Sequence, residues 1–237
     1  MHIESFNNDI EKNKGTYSYN NGKLANKFII NKKLKTILSV CDLKNKNVLE
    51  IGCGDGVFSS ELANTVDGIN IFAVDPADKA IFYAKKLERD NLKFEVMNIY
   101  DININKKFDY VLFNEVIHHL ENTNSALEIA SKYANNILII EKNTKSIFLK
   151  IHNIIKKIKH RKMCHHKHSK TSIKNIKKYL SETLSMNIKN TKYMNIMPLF
   201  CSDNKAKIIR CIEPIFETIP ILNMFTCKNV LIYAIKK

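Results

Sequence analysis

Tryptophan is absent from the 237 residues, and glycine (six) and proline (four) are scarce. So little of either rules out collagen-like repeats and long Pro/Gly linkers. Only Arg89, Arg161 and Arg210 among the 38 basic residues are arginine. Phosphate and base recognition relies on the arginine fork, so the formal charge of +15 reads first as the bias of a Lys-, Asn- and Ile-rich composition. No stretch approaches the roughly 18 apolar residues of a bilayer span. The N-terminus MHIESFNNDIEKNKG has no basic segment leading into an apolar run, which sets the expectation of a cytoplasmic protein. The six cysteines (Cys41, Cys53, Cys164, Cys201, Cys211, Cys227) contain no CxxC pair. They are expected to be reduced thiols, and their spacing argues against an iron–sulfur cluster and radical chemistry built on one.

What remains is the composition of one α/β domain with embellishments, 45% hydrophobic and 26% charged. Residues 1 to about 20 are polar and Asn-rich, and LANKFIINKKLKTILSVC then repeats apolar residues at helical spacing, so 1–45 reads as a helical cap. From Asn47, short apolar runs (NVLEI, IFAVD, KFEVMNI, YVLFNE, NILIIE) alternate with helical ones. Five near-continuous apolar strands separated by helices predict a doubly wound parallel sheet over 46–141. Residues 142–185 read as a basic helical insertion. Two further strands, NIKNTKYMNIM and NVLIYAIKK, flank a helix within 186–237 and bring the sheet to seven strands.

The motif that carries chemistry is VLEIGCGDG, a strand running into Gly52, Gly54 and Gly56 and then a helix. Such a turn offers backbone amides and a helix N-terminus with no side chains in the way. Nineteen residues beyond Gly56 the next strand ends in Asp75, where a carboxylate can accept from both hydroxyls of a ribose. A dinucleotide site wants GxGxxG, whereas this loop is GxGxG with Glu50 two residues before it, which suits a ligand with a free amino group and no phosphates.

Here the sequence resembles the class I S-adenosylmethionine-dependent methyltransferases, in particular the group that includes ubiquinone- and menaquinone-biosynthesis enzymes and many small-molecule methyltransferases. The resemblance covers about Lys46 to Glu141 and rests on VLEIGCGDG, on AVDPA at Ala73 to Ala77, and on FDYVLFNEVIHHL at Phe108 to Leu120. It implies a Rossmann-like sheet, mostly parallel with an antiparallel last strand and helices on both faces. It implies that S-adenosyl-L-methionine is the cofactor and S-adenosyl-L-homocysteine the product. By the same resemblance Glu50, Gly52, Cys53, Gly54 and Gly56 hold the methionyl part, Asp75 the ribose, and Pro76 and Ala77 the adenine. Asn98 faces the adenine amino group where the family often has Asp, with Asp101 as its alternative; Ile99 and Asn114 complete the cofactor set. Asn135-Asn136 stands where the family has Gly-Gly before the fifth strand.

Methyl transfer is an in-line displacement in which the cofactor carries the reactivity, so the protein aligns the nucleophile, excludes water and, where needed, removes a proton. His118 and His119, one turn into the helix after the fourth strand, are the candidate bases; the competing reading is that they cap or pack. NEVI in place of a (D/N)PP(Y/F) tetrapeptide, and the absence of a Pro-Cys pair, disfavour DNA methylation.

Between Lys142 and Lys178 stand thirteen Lys or Arg and no acid. Ile147, Phe148, Ile151, Ile154, Ile155 and Ile158 share one face of a basic amphipathic helix, which could pack on the domain, cover substrate, or touch anionic membrane through 147–160. Cys164, His165, His166 and His168 lie too close together, with no second pair, for a structural zinc site, so no metal is expected. The leading expectation is methyl transfer, at oxygen, to a small-molecule or lipid-linked acceptor. The alternatives are an RNA methyltransferase using the basic segment, for which little arginine speaks, and a catalytically inactive cofactor-binding partner subunit.

Overall fold

A computed structural model describes residues 3–18, 20, 23–158, 172–199 and 201–237. Seven strands form one sheet: β1 (Asn47–Ile51), β2 (Asn70–Asp75), β3 (Leu92–Val96), β4 (Tyr110–Asn114), β5 (Asn136–Lys142), β6 (Met186–Met194) and β7 (Asn229–Lys236), in the order β3-β2-β1-β4-β5-β7-β6. The first five are mutually parallel, and β7 runs antiparallel between β5 and β6. This is the architecture expected from the strand pattern.

The strands read as continuous apolar runs because both faces are covered. Val48, Ile71, Ala73, Leu112, Leu138, Ile140 and Leu231 point into one core, with α2 (Leu24–Leu38), α3 (Val57–Thr65) and α4 (Asp78–Ala84). Their neighbours Leu49, Val74, Val111, Phe113, Ile137, Ile139 and Ile232 point into the other, against α5 (Thr123–Tyr133) and α7 (Ile173–Lys178). Among the described residues, side-chain caps include Asn122, which accepts from Ser125 N at 3.0 Å, and Ser146 Oγ and Ser172 Oγ, which accept from Leu149 N and Asn175 N, each at 3.2 Å. Strand order reverses between β1 and β4, so a crevice opens beyond their carboxyl ends, where α/β sheets bind ligands.

The polar N-terminus contains a helix, α1 (Ile3–Lys12), whose Ile3, Phe6 and Ile10 sit in a small core with Tyr17, Ala77 and Ala80. It docks on α4 through Asn7 to Asp78 (2.6 Å) and Lys79 to Glu11 (3.4 Å). One local expectation is corrected: His118 and His119 lie in a 3-10 turn, Ile117–His119, and α5 starts only at Thr123. The remaining helices are α6 (Ile147–Ile158), α8 (Asp203–Thr218) and α9 (Leu222–Thr226). Among the described residues no helix is long and apolar enough to cross a membrane.

Candidate active site

Gly52, Gly54 and Gly56 all take left-handed backbone, with φ of +76°, +57° and +73°. A Cβ at Gly52 would run into Val116, and one at Gly54 would stand 2.7 Å from Tyr17 Cε2. Glycine is therefore required for both conformation and space. Gly56 closes the loop as the residue preceding α3.

Two carboxylates anchor the loop. Asp75, at the end of β2, accepts from Gly54 N (2.9 Å) and Ala77 N (2.8 Å), and burial pushes its pKa up to about 6 against those bonds. Glu50, 1% exposed in β1, accepts from Ser59 Oγ at 2.6 Å through one oxygen, while its other oxygen has no hydrogen-bond partner. Burial pushes Glu50 up to about 7, and the Ser59 hydroxyl offsets only part of that. A buried carboxylate oxygen without a partner is costly unless a ligand donor meets it.

A cavity of about 250 Å³ opens above the loop. Gly52, Cys53, Gly54, Asp75, Pro76, Ile99, Asn114, His118 and His119 line it, and Phe6, Tyr17 and Asn20 approach from the N-terminal segment. Asp55 holds that segment down: its carboxylate accepts from Tyr17 N (2.9 Å) and Asn20 Nδ2 (2.8 Å). Glu50, Gly56 and Asn98 do not line the cavity. The Asn98 side-chain oxygen accepts from Tyr100 N at 3.2 Å and so is turned to its own backbone.

The far wall is ionic. Glu115 has φ +57°, strained for a residue with a Cβ. Its carboxylate takes Lys33 Nζ at 2.7 Å and Asn229 Nδ2 at 2.9 Å, and Lys33 also donates to Asn114 Oδ1 at 3.1 Å. Burial would raise the Glu115 pKa, but Lys33 and Lys142 together hold it well below the usual carboxylate range. His118 Nδ1 lies 2.9 Å from both Glu141 oxygens, and its Nε2 2.9 Å from Lys142 Nζ. An ionised carboxylate only accepts, so Nδ1 donates to Glu141 and Nε2 accepts from Lys142. The His119 ring stands edge-on to Phe6, centroids 5.1 Å apart, and 3.9 Å from the His118 ring.

The model of a methyltransferase domain family matches residues 42–200, which is most of the chain. The chain belongs to the S-adenosylmethionine-dependent methyltransferases. It is 28% identical over 120 residues to a release factor glutamine methyltransferase of Flavobacterium psychrophilum, covering 48% of this chain and 42% of that protein. It is 32% identical over 87 residues to a ubiquinone biosynthesis O-methyltransferase of Rickettsia bellii, covering 34% of each. The chain thus spans less than half the length of these curated relatives. Among solved structures, a possible histamine N-methyltransferase from Thermotoga maritima superposes with a TM-score of 0.67 over 100% of both chains at 13% identity, a likeness of fold.

The donor of this family is S-adenosylmethionine, and the residues fit it. The loop leaves no side chain between backbone and ligand, Asp75 lines the crevice, and Glu50, two residues before Gly52 and behind the cavity lining, keeps an unpartnered buried oxygen. Sequence reasoning missed Lys33, Lys142, Asp55 and Tyr17. Lys33 carried a signal: it falls midway between Ile29 and Ile37 on the buried face of α2, an ammonium where a core residue belongs. Among the described residues no group of three or more His, Cys, Asp or Glu is placed to hold a metal. Cys164, His165, His166 and His168 lie outside the described residues. On α6, Ile147, Ile151 and Ile154 are exposed, while Phe148 and Leu149 are half-buried.

Proposed function

We propose that this methyltransferase alkylates an oxygen of a small-molecule or lipid-linked acceptor in the cytoplasm or at a membrane surface. The observation that carries the reading is the Glu141–His118–Lys142 array on the wall of the cavity whose floor is the glycine loop. Bound S-adenosylmethionine supplies an electrophilic methyl group on a sulfonium. The loop and Asp75 hold the cofactor in this reading, with Glu50 beneath the methionyl end and Pro76 and Ile99 against the base. Phe6, Tyr17 and His119 close the cavity against water, which protects a reactive sulfonium and strengthens the charges around it.

His118 is the proton acceptor in this account. Glu141 fixes the tautomer that leaves the Nε2 lone pair available, as a second carboxylate does for other catalytic histidines. Lys142 gives up its place at Nε2 to the acceptor hydroxyl and keeps its charge beside the developing oxyanion. His119 packs on both His118 and Phe6 and positions the ring. Oxygen is favoured over nitrogen because a general base is of most use with a weakly acidic hydroxyl, and because a ubiquinone O-methyltransferase is among the relatives.

Incubation with methyl-labelled S-adenosylmethionine and separate phenolic, quinol-lipid and RNA fractions tests the reading. S-Adenosylhomocysteine release with label in an ether of the small-molecule or lipid fraction is expected. Label in RNA would favour the second reading, which rests on the thirteen basic residues between Lys142 and Lys178. No release with any fraction would favour an inactive cofactor-binding subunit.

A further inference from the structure

Helix α8 is inside out. Its carboxylates attach it to the domain: Glu213 accepts from Ile196 N at 3.0 Å, Glu217 accepts from Asn195 N at 2.8 Å, and Lys32 of α2 pairs with both at 3.4 and 2.7 Å. Of its aliphatic side chains, Ile209 packs inward on the cluster of Ala25, Ile29 and Met197, and the other isoleucines point away. Ile208, Ile212 and Ile215 follow one another at four and three residues, so they form one stripe, and they are 64%, 41% and 56% exposed; Ile219, just past the helix end, is 46% exposed. A second stripe, Ile147, Ile151 and Ile154, is exposed on α6 at the same helical spacing. The two helices meet at Phe148 and Phe216, whose rings stand edge to face at 5.6 Å, and α9 adds exposed Phe225 beside them. Exposed apolar stripes on two adjoining helices mark an interaction site rather than singly scattered surface residues.

We infer that the α6–α8 face is the docking surface of this protein on an anionic lipid bilayer. Charge decides the occupant. Lys145 and Lys150 are exposed beside the α6 stripe, and α8 adds exposed Lys205 and Lys207 next to its own. Of the three acids of α8, Glu213 and Glu217 are turned inward onto Lys32, and Asp203 sits at the helix start, where it accepts from Leu24 N at 3.4 Å. A cationic rim around aliphatic side chains is the chemistry of an interfacial helix, with isoleucines in the acyl boundary and lysines among anionic headgroups. A second copy of the chain would bring the same cationic rim against itself. α8 is tied to the cavity wall through α2: Lys32 pairs with the inner carboxylates of α8 while the next residue, Lys33, reaches Glu115. The inference does not depend on the acceptor or on methyl transfer.

The test is cosedimentation of the full chain with vesicles of phosphatidylcholine containing about one-third phosphatidylglycerol, against pure phosphatidylcholine. Binding to the anionic vesicles at least about tenfold tighter is expected, falling as salt shortens the Debye length. Ile212→Asp with Ile215→Asp should weaken it by about tenfold or more, with an unchanged unfolding temperature because both side chains are exposed. Lys205→Glu with Lys207→Glu, which alters only surface charge, should weaken it several-fold. Equal partition into both vesicle types, or unaltered binding by both variants, would overturn the inference. So would a dimer that the isoleucine variant dissolves in the absence of vesicle binding.

Discussion

Glu50→Gln should stabilise the free protein at alkaline pH while weakening its hold on the cofactor. In the fold this carboxyl keeps its proton up to about pH 7, against an ordinary value of 4.5, because burial disfavours the charge. Folding therefore takes up a proton between those values, so stability is greatest below pH 4.5, declines as pH rises, and levels off above 7. Integrated over that window, the raised pKa costs about 1.4 kcal/mol at pH ~5.5 and about 3.4 kcal/mol at pH ~8.5, a difference of about 2 kcal/mol. Glutamine keeps a partner for Ser59 and carries no charge, so the cost vanishes in the variant. For a chain of this size, ~2 kcal/mol corresponds to about 4–8 °C in Tm. Thermal unfolding of both proteins at the two pH values should show the variant gaining that much on the wild type between the acid and alkaline measurements. S-Adenosylhomocysteine should raise the Tm of the wild type more than that of the variant at alkaline pH. A difference between the two proteins that is the same at both pH values would refute the reasoning, because the carboxyl would then not be titrating in the fold.

Glu115→Gln leaves Lys33 and Lys142 facing each other without their common anion, and should cost about 1–3 kcal/mol of stability by chemical denaturation together with most of the turnover. Gly54→Ala forces a left-handed alanine whose Cβ meets Tyr17, so S-adenosylhomocysteine affinity by calorimetry should drop at least about tenfold. Asp55→Ala removes the acceptor for Tyr17 N and Asn20 Nδ2; hydrogen exchange should speed up across α1 and its following turn, with β1 and β4 unchanged. His118→Ala should lower kcat about a hundredfold or more while leaving cofactor affinity near that of the wild type, and equal turnover in the two proteins would remove His118 as the base.

The sheet was legible because burial on both faces makes each strand a continuous apolar run, which needs no partner to be recognised. The loop was legible because Gly52, Gly54 and Gly56 are required by local backbone. The ionic far wall of the cavity was not. Lys33 reaches Glu115 across 82 positions of sequence, and His118 meets Glu141 only because β4 and β5 are neighbours in the sheet. Nothing in the local pattern around NEVIHHL announces either pairing. The bounds of α1 within the Asn-rich start left little local signal, because three apolar side chains, Ile3, Phe6 and Ile10, suffice once α4 supplies the other half of the core. α8 misleads in the opposite sense: its isoleucine periodicity is that of a buried face, yet the buried side is carried by Ala206 and Glu213.

The most direct measurement is a calorimetric titration of the full chain with S-adenosylhomocysteine and, separately, with NAD. One molecule of S-adenosylhomocysteine per chain, binding lost on Asp75→Ala, and no heat from NAD are the predicted results. Saturable binding of NAD with none of S-adenosylhomocysteine would contradict the account at its base.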